Sequence, residues 1–264
     1  MTYDGLPQIA TAMKWNPKGD RLGVVIKGGD MYSYDPRTQG AVQTGKTHTG
    51  PKAIKLAWID DNFFLTSGFN KQAAREFALW DSRNLSSEVS RGALGDGLGV
   101  GHLYFDEQHN LLFTAGRGEM HIGIYTFDKA QANPLTFVHN FTGSSPQKGA
   151  NIMPKWCLDV EKHEVDRFVR MDNRGIIEYI SFKLPNRTGQ FQEDLYPPFQ
   201  SNNPASNYTE WASGQDKPAN NMQLKPGMDV NANKSAKKSA FMAKIKPKSV
   251  SSTPVVNTAA QNEQ

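Results

Sequence analysis

The sequence predicts an all-β protein: a partial β-propeller of about four repeated antiparallel sheets, then an extended C-terminal arm and a disordered basic tail. Three observations carry this reading. The aromatic–Asp pairs Tyr34-Asp35, Trp80-Asp81 and Phe127-Asp128 recur 46 and then 47 residues apart, close to the period of ~40–45 residues in propeller blades. Short apolar runs alternate with turn residues from Ile9 to Phe182. No apolar pattern of helical period persists beyond a few turns, which disfavours a bundle or an α/β fold.

The first unit reads IATAMKW, a turn at NPKGD, RLGVVIKGG and DMYSYDPRTQG, three short strands that close at Tyr34-Asp35-Pro36. The second has the same grammar: AIKLAWI, a turn at 60–62, FFLTSGF, a polar connection and EFALWDS. At its end Trp80 can pack on the next sheet, while Asp81 can hydrogen-bond its own backbone and tighten the following turn. The third runs VGHLYF, DEQHN, LLFTAG, RGE and HIGIYTFD, with Gly101-His102 placed where a WD-repeat carries its Gly-His. An insertion over residues 133–154 precedes the fourth, which reads KWCLDV, EVDRFVRM, a turn at DNRG, and IIEYISF. A single unit cannot bury both faces, so the units are expected to stack side by side around an axis.

After Phe182 the pattern changes. Aromatics interleaved with Pro, Asn and Gly read as an arm laid on the scaffold, with Tyr196, Trp211 and Leu224 as anchors. Beyond about Met228 the apolar content collapses, and the segment is read as disordered. The expected divisions are residues 1–185, 186–228 and 229–264.

Composition narrows the function classes. The net charge of +4 is uneven: residues 231–264 hold six Lys and one Glu, which leaves about −1 for the rest. No nucleic-acid partner is expected. Cys157 is the one cysteine, which excludes an intramolecular disulfide framework and a multi-cysteine zinc site and fits a reducing, cytoplasmic setting. No catalytic, metal or cofactor constellation emerges. His48, His102, His109, His121, His139 and His163 lack metal-ligand spacing and read as structural or surface residues, with His102 explained by the repeat. The Gly-rich GDGLGVG at 95–101 is not followed by a helix pattern, so it reads as an interblade loop and not a phosphate cradle. Cys157 reads as a buried, inert residue of an apolar strand.

Several stretches resemble the coronins, WD-repeat proteins of the actin cytoskeleton. They are TSGFNKQAAREFALWDSRNL at 66–85, GSSPQKGANIMPKWCLDV at 143–160, FQEDLYPPF at 191–199 and EWASGQDKPANNMQLKPG at 210–227. The likeness covers roughly residues 5–228. The chain departs from the family pattern at Ala74-Arg75-Glu76 and at Trp156, both of which alter loop charge. The resemblance implies part of a seven-bladed propeller, without the coiled coil that makes coronins oligomeric, and so a fragment, an incomplete gene model or a short isoform. It also implies a non-enzymatic scaffold for actin filaments, and through the family a link to the actin-nucleating complex of actin-related proteins.

Actin filaments are acidic, so exposed cations are the candidate contacts: Lys71, Arg75, Arg83, Arg117, Lys148 and Lys155. Each has a plainer explanation as a solvated charge that protects a sheet edge. The tail lysines, Lys234 to Lys248, suggest a handle for actin or an anionic membrane, and SVSSTP at 249–254 could accept phosphate. The rival reading is a general WD-repeat adaptor for vesicle or signalling partners, without actin affinity.

Overall fold

The computed structural model describes residues 6–38, 40–185 and 190–227, with the backbone alone for Ala41 and Val42. The tail expected to be disordered, 229–264, lies outside the described residues.

The first sheet consists of β1 (Ala10–Trp15), β2 (Leu22–Ile26), β3 (Asp30–Tyr34) and β4 (Ala41–Lys46), paired antiparallel in chain order. The second is β5 (Lys55–Trp58), β6 (Phe63–Phe69), β7 (Arg75–Asp81) and β8 (Ser90–Ala93). The third is β9 (Gly101–Asp106), β10 (Leu111–Gly116), β11 (His121–Phe127) and β12 (Leu135–Thr142). The fourth has three strands: β13 (Gln147–Ile152), β14 (Glu164–Asp172) and β15 (Ile177–Lys183).

Cores lie between neighbouring sheets, because the period-2 alternation of each strand sends side chains to both neighbours. Val25 and Met31 of the first sheet meet Leu56, Trp58, Phe64 and Trp80 of the second. On the other face of the second sheet, Leu65, Phe77 and Leu79 meet Leu103, Leu112, Tyr125 and Phe127. Phe113 and Ile122 then pack on Phe168 and Ile180 of the fourth, with Phe113–Phe168 centroids 5.0 Å apart. Each sheet is thus wedged against its neighbours in sequence, the radial stacking of propeller blades.

The fourth sheet keeps one uncovered face. In the fourth, Phe168 and Ile180 form a register pair facing the third sheet, so the pairs Met171–Ile177 and Val169–Tyr179 face away. Met171, Ile177 and Tyr179 are 41%, 62% and 67% exposed. On the outer face of the first sheet Met13 is 59% exposed, but its register partner Val24 and Ile26 of the same strand are buried.

Three sequence expectations change. Residues 133–154 are not an insertion, because they supply β12 and β13. KWCLDV is not a strand: Lys155–Cys157 forms a 3-10 turn in the long β13–β14 connection, and Cys157 is half-buried there instead of strand-buried. The outermost strands β4, β8 and β12 were not legible because an edge strand has little to bury; β12 is exposed at most of its positions.

The arm crosses one end of the sheets. Its hairpin strands β16 (Phe199–Gln200) and β17 (Asn221–Met222) flank a short helix α1 (Tyr208–Ala212), closed by a capping box between Asn207 and Glu210. Tyr196, Phe199 and Leu224 are buried. At the fourth sheet's end of the arm, Tyr196 Oη donates to Val160 O (3.5 Å) and His163 Nε2 meets Gln190 O (3.0 Å). At the first sheet, Gln200 Nε2 donates to Pro17 O (2.9 Å), and Trp211 Nε1 donates to Gly19 O (3.0 Å) while its ring meets Trp15 edge-on.

Candidate interaction surface

Trp80, predicted as a packing residue, is also the end of a buried polar chain. Its Nε1–H donates to Thr66 Oγ1 (2.9 Å), Thr66 Oγ1 lies 2.9 Å from His48 Nε2, and His48 Nδ1 lies 2.8 Å from Glu76 Oε1. With the proton on Nδ1, every group has a partner: the Thr66 hydroxyl donates to Nε2, and Glu76 accepts from the imidazole and from Arg91 at 2.5 Å. Burial, opposed by Glu76, lowers the His48 pKa and keeps the ring neutral at physiological pH. Gly68 makes room for it, since a Cβ there would lie 2.4 Å from the imidazole. His102, the histidine the repeat pattern singled out, is exposed and, among the described residues, belongs to no such chain.

The six candidate cations separate by strand direction. In each antiparallel sheet the first-to-second and third-to-fourth connections lie at one end, and the second-to-third connection and the passage to the next sheet lie at the other. The arm covers the first end, touching Pro17 and Gly19 after β1, Arg37 after β3, and Gln108 and His109 after β9. Lys71 in the β6–β7 turn, Arg117 in the β10–β11 turn and Lys148 near the start of β13 lie at the opposite, arm-free end, and all three are exposed.

The other three are committed elsewhere. Arg75 is only 8% exposed; its Nη1 donates to Glu119 Oε1 (2.8 Å) and its Nε to Leu94 O (2.8 Å), so it joins the second and third sheets and is not a surface cation. The Gly-rich stretch at 95–101 serves this pair, because a Cβ at Gly97 would lie 2.1 Å from the Arg75 guanidinium. Arg83 is exposed on the arm side and forks onto Asp81, with Nε and Nη2 at 2.9 and 2.7 Å.

Lys155 sits in a cluster beneath the arm. Its Nζ lies 2.8 Å from Asp106 Oδ2, 2.8 Å from Asp166 Oδ1 and 2.8 Å from Val165 O. His109 Nδ1 reaches Asp106 Oδ2 at 2.5 Å, and His109 Nε2 holds Leu195 O of the arm at 3.0 Å. Burial and then the Asp106 charge, against the pull of Lys155, push the Asp166 carboxyl up to about 7. Burial opposes the imidazolium of His109, yet Asp106 outweighs it and raises that pKa. Asp106, His109 and Asp166 lie close enough to share a cation, and the Lys155 ammonium, bonded to both carboxylates, supplies that charge. Sequence spacing missed this group because its members come from the end of β9, the β9–β10 turn, the β13–β14 connection and β14, far apart in the chain.

The repeat markers have different fates. Trp80 and Phe127 are buried, and Tyr34 stacks on Tyr32 at 5.9 Å. Asp35 and Asp81 each accept a two-pronged contact from the Arg two residues on, whereas Asp128 accepts from Ala130 N and Gln131 Nε2. Such contacts and exposed charges suit non-covalent recognition.

Comparison with known proteins follows the same lines. Residues 177–219 match a type of WD40 repeat; among the described residues this range holds β15, β16 and α1. The Coronin-like protein crn1 of Schizosaccharomyces pombe is 34% identical over 207 residues, covering 78% of this chain and 34% of that protein. Coronin-2A of Mus musculus is 31% identical over 224 residues, covering 84% of this chain and 42% of that protein. The chain therefore spans well under half the length of these curated relatives. The crystal structure of the WD40 domain from Toxoplasma gondii coronin superposes with a TM-score of 0.79 at 30% identity, covering 84% of this chain and 57% of that one. Sequence and fold together place the chain in the coronin family of WD-repeat proteins.

Proposed function

We propose that this chain is a non-enzymatic scaffold that binds the sides of actin filaments and supports cytoskeletal organisation, acting in the cytoplasm. The observation that carries the reading is the set of exposed cations, Lys71, Arg117 and Lys148, at the arm-free end of successive sheets. Rigid sheets hold their turns at fixed spacing, and an acidic filament side is the complement of such a surface. Coronin relatives support the cytoskeletal assignment. The tail lysines, outside the described residues, add in this reading an electrostatic contact to the filament or to an anionic bilayer.

Cosedimentation of the full chain with filaments across a salt series tests this. Binding should weaken steeply with salt, and Lys71→Glu combined with Arg117→Glu and Lys148→Glu should weaken it by about tenfold or more with unchanged thermal unfolding. A folded sample that fails to pellet at low salt replaces this reading with a WD-repeat adaptor of other partners.

A further inference from the structure

The arm-free end also holds a cavity of about 540 Å³ between the second and third sheets, lined by Lys52, Lys55, His102, Arg117, Leu98 and Val100 among others. Among the described residues, three cations and an imidazole border it and no carboxylate does. Glu119, close in the chain, is turned away to Arg75 Nη1 (2.8 Å) and Gly99 N–H (3.0 Å). The cations are only partly satisfied. Lys52 Nζ lies over the Phe69 ring at 4.2 Å and meets Leu98 O, Lys55 Nζ meets Thr11 O at 3.2 Å, and among the described residues Arg117 forms no ion pair. Each ammonium therefore has a neutral carbonyl where an anion would bind more strongly. His102 senses the imbalance: partial burial, then the charges of Lys55 and Lys14, hold its pKa below the usual imidazole value.

We infer that this cavity is a binding site for a compact phosphate-bearing anion, gripped by Lys52, Lys55 and Arg117 with His102 at its border. Crowded like charges normally repel and destabilise, and a multivalent anion removes that cost while gaining several charge-assisted hydrogen bonds. Leu98, 79% exposed, forms an apolar lip. The site shares Arg117 with the proposed filament-facing cations but is centred on Lys52 and Lys55, which that surface does not use, and its ligand is a small anion, not a protein.

The test is calorimetric titration of the full chain with sodium pyrophosphate, with sulfate as the comparison anion. Saturable one-to-one binding is expected, at least tenfold tighter for pyrophosphate. Lys52→Ala combined with Arg117→Ala should weaken it at least tenfold, whereas Lys148→Ala, equal in charge to a single change, should not alter it. Leu98→Glu places a negative charge at the lip without touching the core and should also weaken binding, so a misfolded double variant does not protect the idea. Flotation with phosphatidylcholine vesicles doped with phosphatidic acid separates the sources. If Leu98→Glu lowers vesicle binding, the phosphate belongs to a lipid headgroup; if it lowers pyrophosphate binding alone, the ligand is soluble. Equal affinity for sulfate and pyrophosphate, or undiminished pyrophosphate binding by Leu98→Glu, overturns the assignment.

Discussion

Replacing Thr66 with Val should be among the most damaging near-isosteric changes in the second sheet. Thr66 is fully buried, and among the described residues its hydroxyl is the one hydrogen-bond partner of both Trp80 Nε1–H and His48 Nε2. Val fills the same volume, so packing is kept and two buried polar groups are stranded. Each such group costs roughly 1–3 kcal/mol, which gives a loss of about 3 kcal/mol. For a domain of this size that lowers the unfolding midpoint by about 6–12 °C. Thr66→Ser keeps the hydroxyl and removes one methyl, which should cost only about 1 kcal/mol. Urea unfolding followed by tryptophan fluorescence reads both variants against the parent. A Val variant within about 0.5 kcal/mol of the parent, or a Ser variant as unstable as the Val, would show that the polar chain does not hold the sheet.

Two further outcomes follow from packing and charge. The Asp166 carboxyl, raised to about 7, binds its proton more tightly folded than unfolded. Its contribution is therefore full below the ordinary carboxylate pKa of ~4 and is lost as pH rises through about 7. His109, also raised, acts in the same direction at the upper end of that window, while Asp106, lowered, matters only in acid. Unfolding free energies from urea titrations should fall from pH 5 to pH 8 by roughly 2–3 kcal/mol, and Asp166→Asn should remove most of the slope; an unchanged slope in that variant refutes the assignment. The uncovered face of the fourth sheet gives a second outcome, since Ile177 and Tyr179 form part of an exposed apolar patch. Light scattering should show the chain associating as its concentration rises, and Ile177→Lys with Tyr179→Lys should suppress this; a monodisperse parent at all concentrations would contradict it.

The residues that announced the fold were those whose burial is dictated by period. FFLTSGF and EFALWD, buried on both faces, were plain as inner strands, and the aromatic–Asp spacing located the third strands. β12 was hidden because its side chains face solvent, and KWCLDV misled because apolar residues packed in a long connection look like a strand. The surface was less legible. Lys71, Arg117 and Lys148 read correctly as exposed, but a cation in sequence carries no mark of its counter-ion, and Arg75 and Lys155 prove to be bound to Glu119 and to the Asp106–Asp166 pair. His48 was obscured because Gly-His, the expected signal, stands at 101–102 instead.

A row of sheets that touch only their neighbours is a spring: small errors at each junction add up along it. The segment from Gln190 to Asp216 bridges that row, hydrogen-bonded near the fourth sheet through Val160 and His163 and near the first through Pro17 and Gly19, with Asp216 paired to Lys18 and Arg37 at 2.7 Å. Splaying any junction must stretch this chord, so bending at one junction is resisted at all of them. The arm thereby fixes the distances between turns on different blades, and a rigid, widely spaced set of contacts is what recognition of a periodic surface requires.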